Sequence, residues 1–151
     1  MIARLPLCSL VFFCSFFFFF KIIIKFAVYN KLINRSISNE MKVQELVDKL
    51  GLKVLAGKAG LNREIDGCYI SDLLSDVMGN AQEGNIWITL QTHKNVMAVA
   101  SLKEMSCIIL VKDLGANEDT INQADEEELP ILQTPLPTFE IAGLVYNLLK
   151  V

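Results

Sequence analysis

The sequence predicts a single α/β domain in which a mostly parallel β-sheet is covered by helices on both faces. Two segments, NIWITL and CIILV, are apolar at nearly every position, which is typical of strands buried on both sides. Segments with apolar residues at helical spacing alternate with such strands along the chain. This alternation favours parallel strands that are joined by helices.

The first 40 residues differ in composition from the rest of the chain. Residues 1–40 contain eight of the nine phenylalanines and no glycine, and five basic residues with one acidic residue give them a net charge of +4. Residues 41–151 have nine basic and sixteen acidic residues, a net charge of −7. We therefore expect an apolar N-terminal segment, 1–40, and a folded domain, 41–151.

Three interpretations of residues 1–40 stay open. The run from Leu5 to Phe20 is a candidate membrane anchor, although a span needs about 20 apolar residues. It also has the length of a signal peptide, but no small-residue cleavage site follows it. We favour the third interpretation, a spurious upstream extension, because T- and A-rich DNA encodes such runs of Phe, Lys, Ile and Asn. The expected location is then cytoplasmic, and a membrane is a partner only if residues 1–40 are a real anchor.

In chain order, the domain is expected to begin with a helix that a glycine closes. Its apolar residues and closing glycine are Val43, Leu46, Val47, Leu50 and Gly51. A short strand, LKVLAG, is expected to end in a hairpin-like turn from Gly57 to Gly60, and EIDGCYI is the second strand.

Four further helices are expected, with the strands NIWITL, CIILV and PILQT between them. Ser71 is expected to cap the first of the four, Asn117 the third, and Thr138 opens the last. Their expected inward residues, helix by helix, are Leu73, Leu74, Val77 and Met78; Val96, Val99, Ala100 and Leu102; Ile121 and Ala124; and Ile141, Leu144, Val145 and Leu148.

The segment GLKVLAGKAG is close to a phosphate-binding loop but lacks its requirements. Such a loop has four residues between its glycines and then Lys followed by Ser or Thr. Five residues separate Gly51 from Gly57, and Ala59 follows Lys58. We therefore predict no nucleotide hydrolysis at this turn.

Other site classes are also disfavoured. No Cys/His cluster has metal-ligand spacing, and Cys68 and Cys107 lie in apolar runs typical of buried thiols. Asp72 and Asp76 are four apart on an expected helix, but a hard cation needs more oxygen ligands than this face offers. A net charge of −7 disfavours nucleic acid as a partner. We expect no metal and no cofactor.

The segment TLQTHKN is the strongest candidate for a binding loop. It follows a buried strand and leads into a helix, and in open α/β sheets such positions bind ligands and anions. It also contains the single histidine of the chain. The candidate ligand-binding residues are Ser71, Asp72, Thr92, His93 and Asn95.

Three segments of the chain resemble the DRTGG domain: GLNREIDGCYISDLLSDVMGNAQEGNIWITLQTH, AVASLKEMSCIILV and ELPILQTPLPTFEIAGLVY. The resemblance covers essentially all of residues 41–149. It implies a fold similar to the N-terminal domain of HPr kinase/phosphorylase, and a role in regulation and dimerisation, since the family also occurs beside CBS domains in family II pyrophosphatases. The motif that gives the family its name is missing: the loop after NIWIT reads LQTHKN, and KDLG follows CIILV.

These observations lead to one functional hypothesis and two alternatives. We expect a non-catalytic regulatory module, a homodimer, that binds a small anionic metabolite or nucleotide, a partner protein, or both. The alternatives are a small transferase or hydrolase that uses His93, and a purely structural dimerisation domain. The phosphate loop of HPr kinase belongs to that enzyme's other domain, so we expect no phosphorylation of HPr.

Overall fold

Helices and strands alternate along the chain in the computed structural model of the protein, which describes residues 41–150. The helices are α1 Val43–Leu50, α2 Leu74–Asn80, α3 Asn95–Leu102, α4 Glu118–Glu126 and α5 Thr138–Leu149. The strands are β1 Lys53–Ala56, β2 Gly67–Ile70, β3 Asn85–Thr89, β4 Cys107–Leu110 and β5 Ile131–Gln133. The interpretations of residues 1–40 lie outside the described residues.

The strands form one sheet in the order β1-β5-β4-β3-β2. Strands β2 to β5 run parallel to one another, and β1 pairs antiparallel with β5 at the edge. The predicted mostly parallel sheet is therefore confirmed.

Helices cover both faces of this sheet, as predicted. Neighbouring parallel strands are consecutive in sequence, and right-handed crossovers then place α2, α3 and α4 on one face. Helices α1 and α5 supply the core of the other face. The core under α2, α3 and α4 includes Val77, Trp87, Met97, Ile108, Ala124 and Ile131. The core under α1 and α5 includes Leu46, Ile86, Ile88, Ile109, Leu132, Ile141 and Val145.

The turn after β1 differs from the predicted hairpin-like turn. It forms a short 3-10 helix, Lys58–Asn62, and β1 pairs with β5 rather than with β2. Gly57 adopts a left-handed backbone with φ 70°, and its N–H donates to Asp125 Oδ1 at 2.6 Å. A Cβ atom at Gly57 would collide with the Leu129 carbonyl oxygen, and one at Gly60 with that of Glu128. Both glycines thus permit close backbone packing, which leaves no open cradle for a phosphate.

The helix ends and inner faces agree with the sequence in part. Gly51 closes α1 with φ 62°, as predicted, and Val77, Ile141 and Val145 are buried. Asn117 precedes α4, but its side chain caps no N–H group. Thr138 is the first residue of α5, as predicted, and Pro137 occupies the N-cap position. Four leucine and methionine residues expected to face inwards are instead 42–68% exposed. They are Leu73, Met78, Leu102 and Leu144. The first of them precedes α2, and the other three lie outside the helix face that meets the sheet.

We predict that Gly60→Ala lowers the free energy of unfolding by about 2–3 kcal/mol, because the added methyl group must displace backbone atoms of the segment before β5. Gly79→Ala is the matched control. Apart from its chain neighbours and the backbone of its own helix, nothing lies within 4 Å of a Cβ at Gly79. Alanine also favours the helix, so this variant gains about 0.5–1 kcal/mol. Urea unfolding measures both changes, and equal stabilities would contradict the close packing of this turn.

Candidate functional site

Two connecting segments meet at the carboxyl edge of the parallel sheet. Strand β2 ends at Ile70 and its parallel neighbour β3 ends at Thr89. The segment 71–73 and the loop 90–94 therefore begin side by side, and they carry four of the five predicted ligand-binding residues. The fifth, Asn95, is the first residue of α3.

Asp72 links these two segments. Its Oδ1 accepts a hydrogen bond from Thr89 Oγ1 at 2.8 Å and another from the Leu90 N–H at 2.7 Å. Thr89 Oγ1 in turn accepts from the Gln91 N–H at 3.1 Å. The expectation that Asp72 lies in the first turn of a helix is wrong, because α2 begins only at Leu74. Its carboxylate instead fixes the start of the β3–α3 loop.

Ser71 is not a helix cap, contrary to the prediction. The N-cap position of α2 is Leu73, and no side chain caps it. The Ser71 hydroxyl accepts a hydrogen bond from the Leu73 N–H at 3.2 Å, while the Ser71 carbonyl oxygen accepts from Trp87 Nε1 at 2.8 Å. The segment between β2 and α2 is thereby tied to strand β3.

Asp76 is surrounded by hydrogen-bond donors. Tyr69 donates its hydroxyl to Oδ2 at 2.9 Å, and Asn80 donates its amide to Oδ1 at 2.9 Å. Hydrogen bonds from Ser71, then from Tyr69 and Asn80, hold the pKa of Asp76 below its ordinary value. The hydrogen bond from Tyr69 to Asp76, the burial of the hydroxyl and the negative charge of Asp76 raise the pKa of Tyr69. Asp76 therefore serves a structural network, and it does not share a helix face with Asp72.

The loop from β3 to α3 is held at Leu90 and Thr92 and is exposed between Thr92 and the start of α3. The carbonyl oxygen of Thr92 accepts a hydrogen bond from Thr120 Oγ1 at 3.2 Å, which adds to the Asp72 contact at Leu90. Thr92 is half-buried, whereas His93, Lys94 and Asn95 are exposed. The N-cap of α3 is Lys94, and no side chain caps it.

This arrangement offers donors for an anion at the start of α3. The exposed ammonium group of Lys94 and the positive end of the α3 dipole both favour negative charge. Lys94 and Thr120 were missed by sequence reasoning. Lys94 stands beside His93 in the same loop and could have been chosen, but Thr120 is distant in sequence and no local signal connects it to Thr92.

The site is a surface loop and not a crevice. Open α/β sheets bind ligands where the strand order reverses. Strands β2 to β5 follow the order of the chain, so these four parallel strands have no reversal. A ligand at this edge would therefore contact one loop and one helix end, which limits its size and affinity.

The acidic, histidine and cysteine side chains of residues 41–150 were also compared with what a metal site, a reactive thiol or a disulfide requires. That part of the chain contains no group of three His, Cys, Asp or Glu side chains able to hold a metal ion. Burial raises the pKa of the Cys68 thiol to about 11, and it raises the pKa of Cys107 further. Both thiols are thus protonated at neutral pH and are poor nucleophiles. Strand β3 lies between them, which places them too far apart for a disulfide.

Comparison with known proteins identifies related sequences. Residues 45–148 match the family described as "DRTGG domain". A curated relative, the uncharacterized protein YtoI of Bacillus subtilis (strain 168), is 27% identical over 105 residues. That alignment covers 67% of this chain and 23% of YtoI.

A solved structure shares the fold. It is the crystal structure of the CBS and DRTGG domains of the regulatory region of Clostridium perfringens pyrophosphatase, complexed with the activator diadenosine tetraphosphate. The TM-score is 0.58 at 16% sequence identity, with 69% of this chain and 45% of that chain covered. The chain thus spans less than half the length of either protein. Within residues 41–150, no helix has the length and apolar character that a membrane span requires.

We predict that Asp72→Ala lowers the free energy of unfolding by about 1–2 kcal/mol and exposes the Leu90 amide, because two hydrogen bonds lose their acceptor. Asp72→Asn is the control, since its amide oxygen can still accept both bonds. Hydrogen exchange followed by NMR reports on Leu90 directly. Unchanged protection of that amide in the alanine variant would show that Asp72 does not hold the loop.

A second prediction concerns acid stability. The folded state holds the Asp76 pKa below 3.8, so as the pH falls the unfolded state takes up the proton first. The stabilisation is complete above pH 3.8 and is lost as the pH falls through the folded-state pKa. The melting temperature of Asp76→Asn should therefore fall less in acid than that of the parent. Asp119→Asn, an exposed acid on α4, serves as the control; a parallel acid response of the Asp76 variant and the parent would exclude the effect.

Proposed function

The chain belongs to the DRTGG domain family, and we propose that it is a non-catalytic regulatory module that binds a small anionic ligand at the loop from Leu90 to Asn95. One observation carries this proposal. The loop is fixed by the hydrogen bond that its Leu90 N–H donates to Asp72 and by the one that Thr120 donates to the Thr92 carbonyl oxygen. Beyond these contacts, His93, Lys94 and Asn95 carry exposed polar groups at an uncapped helix start. A preformed loop of this kind binds a ligand with little loss of conformational entropy.

The residues have two roles in this proposal. Thr92, His93 and Asn95, together with Lys94, contact the ligand. Asp72 supports the loop through its hydrogen bonds with Thr89 and Leu90. Ser71 holds the segment that carries Asp72, through its hydrogen bonds with Leu73 and Trp87. The negative charge of Asp72 lies close to the loop and opposes a second negative group, so we expect modest affinity.

The class of ligand follows from the family and from the loop. The Clostridium perfringens regulatory region that shares this fold is complexed with a dinucleotide activator. We propose a phosphate-bearing metabolite or nucleotide for this chain on two grounds, the family's place in regulatory regions and the cationic helix start. A partner protein that receives the signal is part of the same proposal.

The alternative of a small enzyme that uses His93 has less support. A catalytic histidine needs a nucleophile and an orienting acid within hydrogen-bond distance. Among residues 41–150, none of the side-chain hydrogen bonds involves the exposed His93 ring. The half-buried Cys68 and the buried Cys107 have raised pKa values and are poor candidates for the nucleophile. The packing of the turn from Gly57 to Gly60 against the chain before β5 argues against a phosphate loop there.

The module is proposed to act as a homodimer. Three large side chains on α5 stay exposed in the single chain: Phe139 is 90% exposed, Tyr146 57% and Leu144 42%. Exposed apolar patches of this kind mark interaction surfaces. A dimer would also place two copies of the loop in one regulatory unit.

We predict that a panel of inorganic phosphate, adenine nucleotides and diadenosine tetraphosphate contains a compound that raises the melting temperature of the protein. His93→Ala and Thr92→Val should each weaken binding of that compound on the order of tenfold, the effect of losing one charge-assisted hydrogen bond. The measurement is a thermal shift followed by calorimetric titration.

Lys58→Ala is the control variant. Lys58 is exposed on the turn after β1, away from the carboxyl edge of the parallel strands, so binding should not change. If both loop variants bind the compound as tightly as the parent, and melt like it without ligand, the loop is only structural. If only Lys58→Ala loses binding, the ligand site lies at the Gly57–Gly60 turn instead.

A further inference from the structure

Helix α5 has an aromatic stripe on the side that faces solvent. Phe139, Gly143, Tyr146 and Lys150 follow one another at intervals of four, three and four residues, which places them on one face of the helix. The core residues Ile141 and Val145 occupy the other side. Phe139 is 90% exposed and Tyr146 57% exposed. We call the four residues the α5 stripe.

Gly143 is unexplained by the packing of a single chain. Glycine disfavours a helix interior. Alanine would fit here, because nothing outside the chain neighbours and the backbone of this helix lies within 4 Å of a Cβ at this position. A glycine without a neighbour leaves a shallow notch between the rings of Phe139 and Tyr146. Such a notch admits a large side chain from another helix.

We propose that the α5 stripe binds the α5 stripe of a second copy of the chain, with the two helices antiparallel. This inference rests on the homodimer in the proposed function and names the face that forms it. In the antiparallel register, Tyr146 of one copy fills the notch at Gly143 of the second copy. Phe139 then lies opposite Lys150 of the second copy, and a two-fold axis repeats both contacts.

Charge complementarity selects this orientation. Glu140 stands near the start of α5 and Lys150 at its end, so antiparallel helices bring opposite charges together. A parallel pair would place Lys150 beside Lys150 and leave both notches empty. Within one copy, Lys150 Nζ already lies 4.5 Å from the centroid of the Tyr146 ring. The same ammonium group can therefore contact the Phe139 ring of the second copy from its other side.

The test uses three substitutions in the full chain and sedimentation equilibrium over a range of protein concentrations. Phe139→Ser and Gly143→Ala should each raise the dimer dissociation constant on the order of tenfold, by removing a ring and by filling the notch. Leu102→Ser is the matched control. Leu102 is 68% exposed but lies on α3, so its loss should leave the dissociation constant unchanged.

Gly143→Ala separates an interface from a surface without a partner. As a helix residue without contacts, alanine should raise the melting temperature of the monomer, whereas at the proposed interface it weakens the dimer. A higher melting temperature with an unchanged dissociation constant overturns the assignment.

The remaining outcomes separate this inference from the proposed function. A parent protein that is monomeric at all concentrations overturns both the stripe and the homodimer, but it leaves the ligand site intact. A dimer that none of the α5 variants weakens overturns only the stripe. A dimer that only Leu102→Ser weakens would place the interface on the opposite face of the sheet.

Discussion

Strand β3 is buried on both of its faces, and its side chains enter two separate cores. Ile86 and Ile88 contribute to the core under α1 and α5, while Trp87 contributes to the core under α2, α3 and α4. Strand β3 pairs in parallel with β2 on one side and with β4 on the other, and each of these strands is its neighbour in sequence. Parallel strands need a crossover connection, and such crossovers are right-handed. The parallel pairing of β3 with β2 and β4 therefore fixes the sheet face on which the connecting helices α2 and α3 lie.

The same arrangement decides what kind of site the fold can offer. With strands β2 to β5 in sequence order, their connecting helices lie on one face, and these strands have no reversal of order at which a crevice would form. Polar contacts at the carboxyl edge therefore hold one loop against another, as Asp72 does with Thr89 and Leu90. Such an edge presents a fixed, exposed loop, which suits recognition of a ligand better than chemistry that requires water to be excluded.

A regulatory role is consistent with how the reactive groups of the described chain are used. The thiols of Cys68 and Cys107 are core groups, and the carboxylates of Asp72 and Asp76 accept structural hydrogen bonds. Gly57 and Gly60, in the turn that was compared with a phosphate loop, allow the backbone to approach Leu129 and Glu128. The loop before α3 and the α5 stripe are both exposed, and both are suited to binding.

The sequence alone determined the order of the elements, the mostly parallel sheet and the buried strands, because these follow from periodicity and composition within short windows. It also placed the candidate loop correctly between β3 and α3. Only the tertiary structure decided that β1 pairs with β5, that Asp72 holds Leu90 across 18 residues, and that Gly57 binds Asp125 across 68. The sequence misplaced the Ser71 cap and overestimated the inner faces of the helices. A local pattern shows which residues are able to form a hydrogen bond or to be buried. The residues that complete the hydrogen bond, or that cover the side chain, come from distant parts of the chain.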